Sequence, residues 1–78
     1  MAAAEEASEL VAFMARSIVT EPDAVKVTVA DDGRVLELET ADEDRGRVIG
    51  RQGRVAKAMR AILTASAVGS DCRLEIID

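Results

Sequence analysis

The stretch "VIGRQGRV", residues 48–55, places two glycines three positions apart between an apolar pair and a basic run. Gly50 can adopt the left-handed conformation that stops a helix. Gly53, at the start of a following helix, has no side chain to keep a ligand away from the backbone N–H groups. The positive end of the helix dipole favours an anion at that point. The stretch therefore predicts two helices joined by a turn that can hold a phosphate.

The two residues between the glycines suit the same purpose. Arg51 adds a cation at the tip of the turn, and Gln52 adds hydrogen-bonding groups without charge repulsion. The spacing does not fit a Walker A loop, and a dinucleotide-binding loop follows a strand directly, whereas a helix is predicted here. A lone G-x-x-G is weak evidence. Val48 and Ile49 before it, and the basic, apolar-periodic run after it, make it more specific.

Positive charge is concentrated around this turn. Residues 45–60 carry a charge of +6 with no acidic side chain, whereas the rest of the chain carries −11 and the whole chain −5. A basic surface on an acidic body can attract phosphate over about 8 Å at physiological salt. A basic run alone is more often a solvated helix face, and the glycine spacing argues against that interpretation. The six basic residues are Arg45, Arg47, Arg51, Arg54, Lys57 and Arg60.

Hydrophobic periodicity predicts a first helix over about residues 3–19. Phe13, the one aromatic residue, lies off the centre of its apolar stripe. We expect Phe13 to widen the buried face, with contact to a partner chain as the alternative. The stripe consists of Ala7, Leu10, Val11, Met14 and Ile18.

Two further helices are predicted around the glycine turn. Thr40 and Glu43 have the spacing of a capping box, so a short helix should run from about residue 41 to Ile49. The next helix should run from about Gly53 to Val68. Its predicted buried side consists of Val55, Ala58, Met59, Ile62, Leu63 and Ser66.

Alternation of apolar and polar residues predicts strands over residues 24–30, 34–40 and 72–77, with Asp31-Asp32-Gly33 as a tight hairpin turn. The second strand turns Leu36 to the core and Val35 to a solvated face. The two-helix crossover of about 30 residues is long enough for a parallel pairing of the last two strands. We therefore predict an α+β fold in the order α-β-β-α-α-β, with three helices on one face of a three-stranded mixed sheet.

The residue inventory excludes most enzymes. The chain has no His, Tyr or Trp, so it lacks the commonest general base and metal ligand, and its serines have no histidine to activate them. Acidic runs at residues 31–32 and 42–44 could hold Mg²⁺, but turns and helix starts favour short acidic residues anyway. We expect no catalytic residue, no metal and no cofactor. The single cysteine, Cys72, excludes an internal disulfide and is expected in the core.

Length and hydropathy predict one cytoplasmic domain of 78 residues. No apolar run approaches the roughly 18 residues that a membrane span needs. The start, "MAAAEEASEL", is acidic where a signal peptide would be basic.

The longer stretch "RGRVIGRQGRVAKAMRAI" resembles the core of a KH domain, whose V-I-G-x-x-G segment joins two helices. The order of elements is similar to the type II, bacterial arrangement, and the resemblance extends from Leu10 to Ile77. At this length the chain looks most like the small stand-alone bacterial KH proteins. The resemblance implies a single KH domain over residues 1–78 that clamps the backbone of single-stranded RNA with its G-x-x-G loop at residues 50–53.

Residue by residue, the resemblance assigns the clamp to the loop itself. Val48, Ile49 and Val55 become candidates for an apolar groove wall or for the core beneath it, and Arg54 and Lys57 for flanking phosphate contacts. The orientation of Arg45, Arg47 and Arg60 depends on helix packing. The predicted RNA-binding residues are Gly50, Arg51, Gln52, Gly53, Arg54, Lys57, Val48, Ile49 and Arg47.

The resemblance also implies partners. These are single-stranded RNA and either a second copy of the chain or a larger KH-containing protein, with no membrane and no small-molecule substrate. It further implies a role as RNA chaperone or post-transcriptional regulator that influences cell division and shape. Without aromatic side chains for base stacking, sequence preference should be modest. The alternative is a KH-like protein-interaction module with little RNA binding.

Overall fold

The computed structural model describes residues 3–77, so residues 1, 2 and 78 of the predicted domain lie outside it. The helices and strands are α1 (Ala3–Ile18), β1 (Lys26–Ala30), β2 (Val35–Glu39), α2 (Arg45–Ile49), α3 (Arg54–Ala65) and β3 (Arg73–Ile76). Single turns of 3-10 helix lie at Pro22–Ala24, Asp31–Gly33, Asp42–Asp44 and Arg51–Gly53. Among these residues, no helix has both the length and the apolarity to cross a membrane.

The three strands form one sheet in the order β1-β2-β3. β1 pairs antiparallel with β2, with Lys26 opposite Glu39, and β2 pairs parallel with β3, with Leu36 opposite Leu74. The parallel pairing is possible because α2 and α3 form the crossover between β2 and β3. The α+β fold with three helices and a mixed three-stranded sheet is confirmed.

The core lies between the sheet and the helices. Leu36 and Leu38 of the central strand and Leu74 of β3 are almost fully buried, and they cluster with Val11 of α1 and Leu63 of α3. Alternation along β2 explains which leucines face the helices. Val35, expected on the solvated face, is nevertheless buried. It lies between Ala30 and Arg73 in the register, and an arginine stem can cover apolar surface.

The connection between β1 and β2 is four residues long, 31–34, and is closed by the pairing of Ala30 with Val35. Asp31, Asp32 and Gly33 all have positive φ angles, of 51°, 54° and 85°. Cys72, expected in the core, is half-buried at the core's edge, where its thiol donates a hydrogen bond to the Gly33 carbonyl at 3.3 Å. The cysteine therefore ties the start of β3 to this turn.

The predicted capping box at the start of the short helix is wrong. The Thr40 hydroxyl donates to the Ala41 carbonyl at 2.9 Å, and no side chain caps the helix. The acidic segment instead forms a 3-10 turn, Asp42–Asp44, before α2 begins at Arg45. The sequence predicts a helix from about residue 41, and the structure instead places residues 42–44 in this tighter turn.

The helix after the glycine turn ends at Ala65, three residues before the predicted Val68. The Ser66 N–H donates to the carbonyls of Ile62 and Leu63, and its hydroxyl donates to the Leu63 carbonyl at 2.7 Å. The same hydroxyl accepts from the Gly69 N–H. A serine that binds nearby backbone groups favours a helix end over a helix interior.

Three apolar side chains expected on buried faces, those of Phe13, Ala58 and Ile62, face solvent instead. Phe13 is 70% exposed and Ile62 is 51% exposed. Phe13 lies two residues beyond fully buried Val11, which places it about 200° further around the helix. The buried side of α3 is centred on Met59 and Leu63, with Ile62 on its flank. The prediction that Phe13 widens the buried face is therefore wrong.

Candidate nucleic-acid interface

Three of the four residues of the glycine turn, Gly50, Gln52 and Gly53, have positive φ angles. The Gly50 N–H donates to the Gly46 carbonyl at 2.8 Å and closes α2, and Gly50 itself has φ 78° and ψ 170°. Gln52 follows at φ 57°, and Gly53 at φ 75°. The prediction that Gly50 ends the helix is confirmed. Gln52 adopts an angle that costs a non-glycine residue about 1 kcal/mol.

The two glycines are needed for different reasons. A Cβ on Gly50 would lie 2.8 Å from the backbone nitrogen of Val55 and 2.5 Å from its Cγ2. A Cβ on Gly53 would meet no atom within 4 Å. Gly50 therefore allows close packing of the turn on α3, whereas Gly53 is required only for its φ angle and leaves the surface in front of it open.

The backbone N–H groups that are free to bind a ligand are not the ones that the sequence predicts. The Gly53 N–H donates to the Gly50 carbonyl at 3.0 Å, and the Arg54 N–H donates to the Arg51 carbonyl, so neither is free for a ligand. The N–H groups of Arg51 and Gln52 have no backbone acceptor among residues 3–77. The available donors thus lie between the two glycines and not at Gly53.

The polar side chains of the turn and of the first part of α3 share one exposed surface. Arg51, Gln52, Arg54 and Lys57 are all exposed. The Arg54 Nη2 donates to the Gln52 Oε1 at 3.3 Å. No carboxylate within the described residues pairs with Arg51, Arg54 or Lys57. These three cations are therefore not neutralised locally.

The other three basic residues have partners. Arg45 pairs with Asp42 at 2.9 Å, and Arg47 lies 3.5 Å from Asp44. The Arg60 Nε donates to the Leu74 carbonyl at 3.1 Å, which ties α3 to β3. The six basic residues thus fall into two sets. Three of them, Arg51, Arg54 and Lys57, have no carboxylate partner among the described residues, and the other three contact groups within the fold.

The apolar residues around the turn divide between core and surface. Val48 is fully buried, so it belongs to the core and not to a groove wall. Ile49 is 37% exposed, and Val55 is half-buried. Ile62 lies seven residues after Val55, on the same side of α3, and is exposed. Ile49, Val55 and Ile62 form what we call the apolar strip.

The sequence did not single out Ile62 as a surface residue. Its spacing from Met59 and Leu63 made it a core candidate, and the phase of α3 moved it to the flank. A helical projection centred on Ala56, Met59 and Leu63 would have placed Ile62 beside the buried face.

A buried carboxylate fixes the approach to α2. Asp44 is fully buried, and its Oδ1 accepts from the Thr20 N–H at 3.0 Å and from the Thr20 hydroxyl at 2.9 Å. Its Oδ2 accepts from the Glu21 N–H at 3.0 Å. The hydrogen bond from the Thr20 N–H is the main cause that lowers the pKa of Asp44 below its usual value, and burial opposes it. Asp44 thus joins the end of α1 to the start of α2.

Two further acidic residues, Glu21 and Glu43, interact near the same junction. The pKa of Glu21 is raised above its usual value, chiefly by a hydrogen bond with the Glu43 side chain and by the charge of Glu43. Among residues 3–77, no three or more acidic, Cys or His side chains come together as a candidate metal site. These carboxyl groups therefore act on each other and on the fold.

The helix–turn–helix with a G-x-x-G turn, packed on a three-stranded sheet, is the arrangement of a KH domain. The chain belongs to the KH domain family described as KhpA/KhpB, whose model matches residues 8–77. This family is non-enzymatic, and the chain is not an enzyme.

Characterised relatives match almost the whole chain. "RNA-binding protein KhpA" of Treponema pallidum is 47% identical over 74 residues, which cover 90% of this chain and 92% of that protein. The protein of the same name from Halalkalibacterium halodurans is 44% identical over 73 residues, covering 88% and 96%. The one from Borreliella burgdorferi is 40% identical over 74 residues, covering 90% of each. No solved structure matches the chain.

Proposed function

We propose that this protein binds single-stranded RNA without catalysis, as a single KH domain that holds the sugar-phosphate backbone against residues 50–53. One observation carries the proposal: an exposed turn whose Arg51 and Gln52 N–H groups lack backbone acceptors, with unpaired cations beside it. N–H groups and guanidinium together suit a phosphate. The relatives from Treponema pallidum and Halalkalibacterium halodurans are named RNA-binding proteins, which supports RNA as the ligand.

The side chains take separate roles in this proposal. Arg51 neutralises the phosphate at the tip, and Arg54, Lys57 and Arg47 contact phosphates on either side. A KH loop holds about four nucleotides. Gly50 and Gly53 give the turn its shape, with Gln52 orienting Arg54.

The apolar strip of Ile49, Val55 and Ile62 would receive the faces of the bases. Aliphatic side chains contact every base in a similar way, so this surface favours modest sequence preference. Val48 is fully buried and takes no direct part in this surface.

We also propose that the protein acts as a dimer in the cytoplasm, with a second copy or with the larger KH-containing protein KhpB, as an RNA chaperone or post-transcriptional regulator. One turn makes few phosphate contacts, so a second turn on a partner would raise the effective concentration for the same RNA. The exposed side chain of Phe13 leaves apolar surface for such a partner. Influence on cell division and shape would follow from that regulation.

The proposal is tested by RNA affinity. Wild type is compared with Arg51→Asp/Gln52→Asp in fluorescence anisotropy, with a short labelled single-stranded RNA. The control is Arg16→Asp/Ser17→Asp, which changes the net charge equally on exposed positions of α1. Circular dichroism first shows that all three are folded. We expect a loss of roughly tenfold or more for the turn variant, and less than about twofold for the control.

The outcomes separate the two functions. Equal affinity of the turn variant and wild type would contradict the proposal that the turn clamps phosphate. No binding by wild type would favour the protein-interaction module. A log–log plot of affinity against salt should have a slope that falls by about 0.7 for each phosphate contact removed.

A further inference from the structure

Arg47 and Asp44 form an unusual pair because only one of them is buried. The Arg47 Nε lies 3.5 Å from the Asp44 Oδ1, and the side chains are 57% and 1% exposed. The Nε edge of the guanidinium therefore faces a carboxylate inside the protein, in an ion pair without a hydrogen bond. No carboxylate other than that of Asp44 pairs with Arg47 among residues 3–77. A guanidinium presents donors along more than one edge, so one edge can be held while another binds a ligand.

The carboxylate that holds Arg47 is itself immobile. Three hydrogen bonds from Thr20 and Glu21 fix it to a segment more than twenty residues earlier in the chain. Because both oxygens are engaged by that segment, the carboxylate cannot rotate to follow Arg47. Arg47 lies three residues before Gly50, so its position is set relative to the glycine turn.

The neighbouring pair provides a contrast. Arg45 and Asp42 have the same spacing along the chain and a shorter contact, 2.9 Å. There, however, the acid is 92% exposed, and the arginine side chain is 30% exposed. An exposed carboxylate on the surface holds its partner only weakly. Arg47 combines a contact to a buried carboxylate with a side chain that is 57% exposed.

We propose that Asp44 is a positioning residue for RNA binding: it contacts no RNA and acts by holding Arg47 in the orientation that meets a phosphate next to the glycine turn. This inference rests on the proposed RNA-binding function. Holding the arginine before binding reduces the side-chain entropy that is lost on binding. Lysine is a poorer substitute for Arg47 in this role, since its ammonium group is a compact charge on a flexible stem and lacks the rigid, planar fork of donors.

Two sets of variants test the positioning role by RNA affinity, at a temperature where circular dichroism shows each to be folded. Asp44→Asn keeps one oxygen acceptor and removes the charge, and Asp42→Asn is the matched control. We expect Asp44→Asn to weaken binding about fivefold and Asp42→Asn less than about twofold. In the Arg47→Met background, Asp44→Asn should change affinity less than about twofold, because Asp44 then has no arginine to position.

Arg47→Lys gives an answer even if Asp44→Asn does not fold, because residue 47 is exposed. It keeps the charge but not the planar fork, so it should lose more than about twofold in affinity, and less than Arg47→Met loses. Wild-type affinity for Arg47→Lys would overturn the inference. An equal effect of Asp44→Asn in the wild-type and Arg47→Met backgrounds would also overturn it, and so would tighter binding by Asp44→Asn. If wild type itself binds no RNA, the proposed function fails first, and this inference fails with it.

Discussion

Gly50 and Val55 approach so closely that a Cβ on the glycine would lie 2.5 Å from the valine Cγ2. The contact joins the end of α2 to the start of α3 and sets the shape of the turn between them. It also explains why the two glycines of the turn, which look equivalent in the sequence, are not equivalent in the fold.

Alanine substitutions at three glycines should therefore have three different effects. Gly50→Ala combines an unfavourable φ with overlap against backbone and should cost about 2–4 kcal/mol. Gly53→Ala has only the φ penalty, about 1 kcal/mol. Gly46→Ala, in α2 with open space around it, should stabilise by about 0.5–1 kcal/mol. Urea unfolding measures all three, and an equal cost at Gly50 and Gly53 would contradict the contact with Val55.

Asp44 should make stability depend on acid pH. Its pKa is lowered in the folded state, so its contribution is present above the ordinary value of 3.8 and is lost as the pH falls through the lowered pKa. Asp44→Asn should lower the melting temperature at pH 7 by roughly 10 °C, and the difference should shrink below about pH 4. Asp42→Asn is the control for an exposed acid. A difference that stays constant down to about pH 2 would show that Asp44 does not depend on its charge.

Glu21 should have the opposite dependence. Its pKa is raised above 4.5, so its own contribution to stability is most favourable below pH 4.5 and is lost as the pH rises through the raised pKa. Glu21→Gln should therefore raise the melting temperature at neutral pH, and the two proteins should converge below pH 4.5. Glu43→Gln should have a similar effect, and the double variant little more, because either change removes the same repulsion. Additive effects would mean that the two carboxyl groups act separately.

Replacing Phe13 by alanine should destabilise the protein less than replacing Val11, although Phe13 is the larger residue. Phe13→Ala should change the free energy of unfolding by less than about 0.5 kcal/mol, because the ring is largely exposed. Val11→Ala should cost roughly 2 kcal/mol, because the side chain is fully buried. Urea unfolding at low protein concentration measures both. Sedimentation at high concentration then shows whether Phe13→Ala weakens a dimer. A large loss of monomer stability from Phe13→Ala would show that the ring is part of the core.

Much of the fold could be predicted because it follows from local patterns. The alternation around Leu36 and the apolar period around Val11 are properties of short stretches, and the crossover length allowed the parallel strand pairing. Phe13 and Ile62 were misplaced because periodicity gives an apolar face only to within one position, whereas the packing of neighbouring helices decides its phase. Burial at such positions is a property of the assembled layers.

The candidate site also combines features that the sequence predicts with features that depend on packing. By itself, the sequence determined the G-x-x-G turn, the stop at Gly50 and the concentration of positive charge, because each depends on residue type and spacing alone. Only the tertiary structure decided which cations have partners, since Asp44 meets Thr20 across more than twenty residues and engages Arg47. The same holds for Gly50, whose need for glycine is set partly by the distance to Val55. Contacts between distant segments depend on how the helices pack, and no local pattern records that packing.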